Sequence, residues 1–242
     1  MIIIPARIAS NRFPKKVLAN INGYPMVIAT ARAVSNIDKV AIATDSQEIV
    51  NLAKDYDFEA VMTSSEHNSG TDRINEAANK LDLNEDEIII NVQADEPFLE
   101  PEIVQAIMQR VAKSVQNAED LMMTSCYKLI GKKEAKDPNY VKVITDANDY
   151  AIYFSRSKIP YDREEHNAYF GHLGIYGFTK KSLREFCSLP SSPLENIEKL
   201  EQLRAIYHAK KIAMIRVESK SFGIDTKEDL KRALEMFRIS IC

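Results

Sequence analysis

Two carboxylates stand at positions that suit a hard cation. Asp95 follows the largely apolar stretch Ile88–Val92, and Asp225 precedes a helical pattern far along the chain. Mg²⁺ binds through one or two carboxylates and leaves its other positions to water and phosphate oxygens, so one Asp at the end of a buried strand is sufficient. Each segment also has a structural interpretation, in which Glu96-Pro97 terminates the strand and Asp225 or Thr226 caps the following helix. The spacing leaves both interpretations open.

A group of cations follows the first apolar stretch. The chain carries Arg7, Arg12, Lys15 and Lys16 in close succession, and residues 1–37 contain no acid although the net charge of the whole chain is −3. Arginine offers a bidentate fork and lysine a point charge, which together suit a triphosphate or a departing pyrophosphate. Since no glycine-rich phosphate loop or dinucleotide motif is present, side chains must hold the phosphate. We expect these cations to converge at a strand exit; a solvated basic turn is the alternative.

An acid in the second half of the chain falls on an apolar helix face. Residues 193–208 follow a helical pattern in which Glu201 shares an arc with Leu194, Ile197 and Ala205, and Arg204 lies one turn away. A buried Glu is costly unless it is paired or contacts a ligand. The pattern therefore indicates either a structural Glu201–Arg204 pair or a polar contact to a ligand.

The histidines give no recognisable catalytic pattern. His67, His166, His172 and His208 are not spaced as zinc ligands, and no Ser-His-Asp arrangement can be assigned. His172 opens a strand-like segment, where a ligand contact and a surface histidine are the alternatives.

An α/β fold would position these residues. In the first half short apolar runs alternate with helical patterns, which predicts right-handed crossovers, a mostly parallel sheet and ligands at the carboxyl ends of the strands. The strands and helices predicted there are, in turn, Met1–Ile4, Met26–Val34, Lys39–Ala43, Gln47–Lys54, Ala60–Met62, Thr71–Leu81, Ile88–Val92 and Glu102–Ala112. The second half is less regular, with a closing helix and strands predicted at Leu121–Tyr127, Val141–Thr145, Tyr150–Phe154, Leu173–Phe178 and Ile212–Val217.

Composition excludes several classes of protein. The 242 residues are 45% hydrophobic and 28% charged, which is unlike collagen or disordered chains. The net charge of −3 argues against a general nucleic-acid binder, and no apolar run reaches the roughly 18 residues of a membrane span. The scattered Cys126, Cys187 and Cys242, and a first apolar stretch stopped by Pro5 and Arg7, predict a cytoplasmic protein without an N-terminal targeting signal.

Segments along nearly the whole chain resemble one family, the 3-deoxy-manno-octulosonate (Kdo) cytidylyltransferases, or CMP-Kdo synthetases. The matching segments are Ile2–Arg7, Ser69–Thr71, Asn91–Gln93, Asp95–Pro97, Tyr153–Arg156, His172–Gly177, Leu200–Arg204 and Gly223–Thr226. The resemblance implies Mg²⁺-dependent transfer of CMP from CTP to the anomeric hydroxyl of Kdo, with release of pyrophosphate, for lipopolysaccharide synthesis. It also implies a homodimer and a Rossmann-like nucleotidyltransferase fold, with a mostly parallel central sheet flanked by helices and a smaller subdomain for sugar binding and dimerisation.

The same resemblance implies the site residues. Arg7 and Lys16 would hold the triphosphate and Asp95 and Asp225 would ligate Mg²⁺, and these four form the implied catalytic set. The implied nucleotide contacts are Pro5, Ala6, Arg7, Lys16, Ser69, Gly70, Thr71, Arg73 and Gln93. The implied sugar contacts are Arg156, His172, Tyr176, Glu201 and Gln202. We expect one domain over residues 1–242, with a nucleotide-binding half to about residue 120 and a sugar-binding and dimerisation half after it.

Two alternative functions stay open at this point. One is a cytidylyltransferase for another acidic sugar, 8-amino-Kdo or a sialic acid, because Ala94 replaces a usual glycine and segment 163–169 is short for the family. The other is a non-catalytic CMP-sugar-binding protein, against which the presence of Lys16, Asp95 and Asp225 argues. No nucleic-acid or membrane partner is expected.

Overall fold

The computed structural model describes residues 1–8 and 13–237, so Arg12 and Cys242 lie outside the described residues. The chain divides into two compact units. Unit 1 comprises Met1–Asn84, Ile89–Val104 and the chain from Lys220 onward, and unit 2 comprises Glu85–Ile88 and Gln105–Ser219. The segment from Lys220 onward therefore packs with the N-terminal part of the chain, from which it is distant in sequence.

The order of strands and helices follows the predicted alternation. The strands are β1 (Ile2–Ala6), β2 (Asn20–Ile21), β3 (Tyr24–Pro25), β4 (Val40–Thr44), β5 (Glu59–Met62), β6 (Ile88–Asn91), β7 (Met123–Ile130), β8 (Lys142–Thr145), β9 (Ala151–Ser155), β10 (Tyr169–Thr179) and β11 (Ile212–Arg216). The helices are α1 (Met26–Val34), α2 (Gln47–Asp55), α3 (Gly70–Lys80), α4 (Pro101–Gln116), α5 (Lys132–Lys136), α6 (Lys180–Ser188), α7 (Pro193–Glu198), α8 (Leu203–Tyr207) and α9 (Lys227–Met236). Each strand and helix predicted in the first half is present, with its ends shifted by at most a few residues.

The sheet of unit 1 is parallel. Its strands lie in the order β6-β1-β4-β5, and β1 pairs with β4 in a register that sets Ile4 opposite Ile42. All residues of β1 and β4 are buried, which is why both strands read as unbroken apolar runs rather than as alternating patterns. Parallel pairing requires the crossovers that α1, α2 and α3 supply, and it brings the carboxyl ends of the strands to one edge.

An apolar cluster fixes the C-terminal segment in unit 1. Ile21, Met26, Ile224 and Ala233 are buried together in this cluster, with partly buried neighbours packed around them. The rings of Phe98 and Phe237 stack nearby, with centroids 4.5 Å apart. The cluster holds α9 and the residues before it against α1 and the β2–β3 hairpin, a hairpin that the sequence patterns did not predict.

Unit 2 has a mixed sheet. Strand β7 pairs in parallel with β11 and antiparallel with β10, and β8 pairs antiparallel with both β10 and β9. Burial alternates along most of β10, so that His172, Gly174 and Tyr176 share its less buried face. The parallel strands and crossover helices of unit 1, together with this sheet, confirm the predicted α/β class.

The prediction of one helix over residues 193–208 is wrong. Lys199 adopts a left-handed conformation with φ 53°, which ends α7, and the chain turns before α8 begins. The apolar arc inferred for Glu201 therefore does not exist: Ile197, which would lie on it, is 78% exposed, whereas Ala205 is fully buried. No helix among the described residues is long and apolar enough to cross a bilayer.

Candidate active site

A cavity of about 580 Å³ lies within unit 1, a volume typical of small-molecule sites. It is found at the carboxyl ends of β1 and β6 and at the start of α3. Its lining consists of Pro5, Ala6, Arg7, Lys16, Val17, His67, Asn68, Ser69, Gly70, Arg73, Gln93, Ala94, Asp95 and Asp225. Of the implied nucleotide contacts, Thr71 alone is absent from this lining; it lies in the first turn of α3.

The backbone brings the two aspartates to the same cavity. The amide of Ile224 donates a 3.0 Å hydrogen bond to the carbonyl oxygen of Asp95, which ties the segment before α9 to the loop after β6. Thr30 in α1 holds the same loop by donating to the carbonyl oxygen of Ala94 at 2.9 Å. Asp225 therefore reaches the site through the packing of the C-terminal segment, which no local pattern indicates.

Lys16 bridges the two carboxylates. Its Nζ lies 2.5 Å from Asp95 Oδ2 and 2.9 Å from Asp225 Oδ1, and its side chain is 13% exposed. Burial alone lowers the pKa of Lys16, but the charge and hydrogen bond of Asp95, followed by those of Asp225, outweigh burial and raise it. Lys16 is thus a fixed ammonium between two acids.

The capping question at α9 is settled by Thr226. Its hydroxyl accepts from the amide of Asp229, and Asp229 Oδ2 accepts from the amides of Asp225 and Thr226. Asp225 is therefore not the N-cap residue, and its carboxylate contacts Lys16 instead.

Asp95 and Glu96 have different partners although they are adjacent. Asp95 faces the cavity, whereas Glu96 is 7% exposed and accepts a 2.7 Å hydrogen bond from the hydroxyl of Ser221. The structural interpretation thus applies to Glu96, which anchors the C-terminal segment. The carboxylate of Asp95, which faces the cavity, is placed to contact a ligand.

Convergence of all four basic side chains was also expected, and for Lys15 this is wrong. Lys15 has φ 54° at the start of the 3₁₀ turn Lys16–Leu18, so its side chain diverges from that of Lys16. The Nζ of Lys15 pairs with Glu48 at 3.2 Å, and its side chain is 61% exposed. Arg7 and Lys16 line the cavity. Within residues 1–8 and 13–237, Arg7 has no ion-pair partner and so presents an available cation.

The start of α3 forms one wall of the cavity. Ser69 caps the helix by accepting from the amide of Asp72 at 3.0 Å. A side chain at Gly70 would place its Cβ 3.1 Å from Pro5 Cγ, so glycine allows the helix to approach the end of β1. Ser69 and Gly70 line the cavity, so the N-terminus of α3, the positive end of the helix dipole, lies at it.

Arg73 lines the cavity but its guanidinium is engaged by the protein. It donates to Thr63 Oγ1 at 2.6 Å, to the carbonyl oxygen of Ser64 at 3.2 Å and to Asp45 Oδ2 at 2.9 Å. These bonds join α3 to the ends of β4 and β5, so in this structure Arg73 braces the wall of the cavity.

His67 was missed as a cavity residue by the sequence analysis. Its Nε2 is hydrogen-bonded to Glu76 Oε2, and the same carboxylate group accepts from the amide of Ser64 and pairs with Lys80 at 2.7 Å. Burial raises the pKa of Glu76, but Lys80, the Ser64 amide and His67 together lower it to about 2. The position of His67 two residues before Ser69-Gly70 was the available signal, although it was too weak to use alone.

The five implied sugar contacts all lie in unit 2. His172 and Tyr176 share one face of β10, with ring centroids 5.5 Å apart, and Phe154 packs edge-on against His172. Burial lowers the pKa of His172 to about 3, and burial followed by the charge of Glu201 raises the pKa of Tyr176. Gln202 is buried, 4% exposed, in the turn before α8.

Arg156 and Glu201 have protein contacts of their own. The guanidinium of Arg156 donates to the carbonyl oxygens of Glu198 at 2.7 Å, Pro138 at 3.0 Å and Lys199 at 3.3 Å. Glu201 Oε1 lies 3.8 Å from an Arg204 nitrogen whose stronger partner is Glu195, at 2.6 Å. The structural Glu201–Arg204 pair is thus a secondary contact.

Comparison with known proteins identifies the family. The chain matches the family described as Cytidylyltransferase over residues 1–212. It is 57% identical to a 3-deoxy-manno-octulosonate cytidylyltransferase from Nitratiruptor sp. over 96% of this chain and 97% of the relative. The chain belongs to the 3-deoxy-manno-octulosonate cytidylyltransferase family. A relative of the same description from Wolinella succinogenes is 50% identical over 98% of this chain and 99% of its own length.

Solved structures show which known proteins share the fold of this member of the cytidylyltransferase family. A CMP:2-keto-3-deoxy-manno-octonic acid synthetase solved with CTP superposes with a TM-score of 0.87 at 33% identity, over 98% of this chain and 97% of that chain. A 4-diphosphocytidyl-2C-methyl-D-erythritol synthase from Anaerococcus prevotii gives a TM-score of 0.59 at 16% identity, over 98% of each chain, and shows the fold alone. The mostly parallel central sheet flanked by helices, which the resemblance implied, is confirmed.

The carboxylates that line the cavity fit a magnesium ion that takes its other ligands from a substrate and from water. Two carboxylates, 24% and 42% exposed in Asp95 and Asp225, already hold a cationic group, the ammonium of Lys16. Within the described part of the chain, no group of three or more His, Cys, Asp and Glu side chains is placed to hold a metal ion. Two carboxylates suit Mg²⁺, which takes its remaining ligands from water and phosphate, better than they suit a metal that needs an all-protein cage.

Proposed function

We infer that this protein transfers CMP from CTP to the anomeric hydroxyl of Kdo, giving CMP-Kdo and pyrophosphate. The observation that carries the inference is the meeting of Arg7, Lys16, Asp95 and Asp225 at one cavity, in a chain 57% identical to an enzyme named for this reaction. A CTP complex of a related synthetase, with a TM-score of 0.87, supports CTP as the nucleotide.

The reaction requires charge shielding more than covalent help from the protein. The sugar oxygen forms a bond to the α-phosphorus of CTP, the bond from that phosphorus to the bridging oxygen breaks, and the hydroxyl loses its proton while pyrophosphate departs. Arg7 and Lys16 would bind the phosphate oxygens and offset the charge that the leaving group acquires. The amides at the start of α3 would add positive potential on the same side.

We propose Mg²⁺ as the cofactor, with Asp95 and Asp225 as its protein ligands. When bound, the ion supplies Lewis-acid charge stabilisation on phosphate oxygens. The support is the donor set described above, since both carboxylates face the cavity and already hold an ammonium group. With Mg²⁺ between the two carboxylates, the Lys16 ammonium would leave them and contact phosphate instead.

We propose that His172, Tyr176, Glu201 and Gln202 contact the acidic sugar. Two aromatic side chains on one face of β10 offer a surface for the sugar ring, and the polar atoms beside them can bind its hydroxyl groups. Arg156, with its guanidinium held by three carbonyl oxygens, would shape this region and meet the sugar carboxylate through its remaining edge.

A homodimer in the cytoplasm is part of the same proposal. Tyr161 and Tyr207 of unit 2 are each more than half exposed, and aromatic side chains are enriched at protein interfaces. Light scattering coupled to size-exclusion chromatography tests the dimer, and a mass of a single chain would refute it.

A pyrophosphate-release assay tests the function. CTP, Mg²⁺ and Kdo together should give turnover, and omission of any one or addition of a chelator should abolish it. A panel with 8-amino-Kdo and a sialic acid distinguishes the sugar alternatives, since turnover confined to one of these would reassign the substrate. CTP binding without release of pyrophosphate in the presence of any of these sugars would support a non-catalytic binder.

A further inference from the structure

A buried serine is hydrogen-bonded to His172 across two strands of unit 2. Ser125 of β7 is fully buried, and its Oγ lies 2.9 Å from His172 Nε2, 2.8 Å from the carbonyl oxygen of Ile175 and 3.2 Å from that of Leu173. The pairing of β7 with β10 shifts register between Leu173 and Gly177, opposite this serine. The Ser125 hydroxyl therefore lies within hydrogen-bond distance of the histidine ring and of two backbone carbonyl oxygens at the irregularity.

The available protons determine the direction of these bonds. A serine hydroxyl has one proton to donate and two lone pairs that accept, whereas a carbonyl oxygen only accepts. If Ser125 donated to His172, the Ile175 oxygen at 2.8 Å would face a hydroxyl lone pair and this bond would be lost, which is costly for a buried group. Ser125 must therefore donate to the carbonyl oxygen, and Nε2 of His172 must carry a proton and donate to Ser125.

The second nitrogen of His172 is then an acceptor. Burial keeps the ring neutral, with a pKa of about 3, so it holds a single proton near neutral pH. With that proton on Nε2, Nδ1 has a bare lone pair, and no described residue donates to it. His172 lies with Tyr176 on the less buried face of β10.

We propose that Ser125 is a positioning residue that holds His172 in its Nε2–H tautomer and thereby presents Nδ1 as a fixed hydrogen-bond acceptor for a hydroxyl group of the sugar substrate. Ser125 acts through His172 and does not touch the substrate. The identity of the ligand rests on the proposed function, whereas the tautomer does not depend on it.

Nuclear magnetic resonance of the ring nitrogens tests the tautomer in the ligand-free protein. Long-range ¹H–¹⁵N correlation spectra distinguish the two neutral tautomers and the imidazolium, and the His172 signals among the 4 histidines are assigned from their loss in His172→Gln. The wild-type spectrum should show His172 neutral and protonated on Nε2. Addition of Kdo should shift the Nδ1 resonance in the direction of an accepted hydrogen bond.

Variants separate this role from general packing. Ser125→Ala should turn the His172 signals into those of a tautomer mixture and raise the KM for Kdo roughly five- to tenfold, the effect of one hydrogen bond, with the KM for CTP unchanged. Ser125→Thr keeps the hydroxyl and should retain the wild-type tautomer. The matched control is Thr124→Val, because the buried Thr124 hydroxyl in the same strand has no hydrogen-bond partner among the described residues.

Three results would overturn the proposal: a wild-type ring protonated on Nδ1, a charged ring at neutral pH, or unchanged His172 signals in Ser125→Ala. A similar KM increase for Kdo in Thr124→Val would also contradict it, since packing alone would then explain the effect. A fixed Nε2–H tautomer in a protein that does not turn over Kdo would support the positioning by Ser125 and refute the proposed function.

Discussion

The ammonium of Lys16 lies 2.5 Å from the carboxylate of Asp95, a residue 79 positions away in the chain. The same ammonium lies 2.9 Å from Asp225, so in the ligand-free protein it is held between the two carboxylates that we propose for Mg²⁺. A lysine and a divalent cation cannot occupy one position together. Phosphate groups that draw the ammonium away would therefore promote metal binding, and metal and nucleotide should bind cooperatively.

Removal of the Lys16 charge tests this competition. Lys16→Met should bind Mn²⁺ at least tenfold more tightly than the wild type in the absence of nucleotide, because the ammonium no longer neutralises the carboxylates. Electron paramagnetic resonance of free Mn²⁺ measures the affinity. Lys15→Met is the matched control, since Lys15 pairs with Glu48 and is 61% exposed. Equal Mn²⁺ affinities in Lys16→Met and the wild type would contradict the competition.

The two aspartates should matter for turnover and little for folding. Asp95→Asn and Asp225→Asn should each lower kcat roughly 10²–10³-fold, because several kcal/mol of charge stabilisation would be lost. Their melting temperatures should stay close to that of the wild type, since both side chains face a cavity. Pyrophosphate release and thermal melts provide the two measurements, with the exposed Asp55→Asn as control. Near-normal turnover in either variant would remove that aspartate from the proposed metal site.

How far the sequence predicts this structure depends on whether a feature is local. The parallel strands of unit 1 were predictable because strands buried on both faces, such as β1 and β4, read as apolar runs. The break at Lys199 was not predictable. Lysine is a common helix residue, so its type does not indicate a left-handed conformation within a helical pattern. The wrong arc for Glu201 followed directly from that break.

The candidate site shows the same limit. Residue type and strand position made Asp95 a candidate without excluding the structural interpretation, and Asp225 and Thr226 were indistinguishable as caps until the hydrogen bonds of Asp229 were known. Lys15 and Lys16 are equivalent in sequence, and only the turn at Lys15 separates a surface pair from a cavity residue. Long-range packing decides such cases.

Close approach at Gly70 should be needed for nucleotide binding. Gly70→Ala would place a methyl group 3.1 Å from Pro5 Cγ, so α3 or the end of β1 must move by a few tenths of an ångström. We expect the KM for CTP to rise several-fold with the KM for Kdo unchanged, as steady-state kinetics would measure. Gly131→Ala is the control, because its added Cβ would meet its nearest neighbour at an ordinary 3.9 Å. An unchanged KM for CTP would show that the wall at Gly70 tolerates the methyl group.

Glu76 should make stability depend on pH in the acidic range. Its pKa falls from 4.5 to about 2 in the folded protein, so its contribution is fully present above pH 4.5 and is lost as the pH falls toward 2. Glu76→Gln should cost on the order of 1–2 kcal/mol of unfolding free energy at pH 7, after allowance for solvent screening. Urea titrations of both proteins at pH 7 and pH 3 measure the difference, which should shrink at pH 3. The exposed Glu66→Gln should show no such difference, and a gap that widens at pH 3 would contradict the assignment.

Phosphorus magnetic resonance of a mixture of CTP, Kdo and Mg²⁺ with the wild-type protein tests the central claim most directly. We predict that the three CTP resonances give way to those of a sugar phosphodiester and pyrophosphate in equal amounts, and that Asp225→Asn leaves CTP intact over the same period. Persistence of CTP with the wild-type protein, or formation of CMP without a sugar ester, would contradict the account.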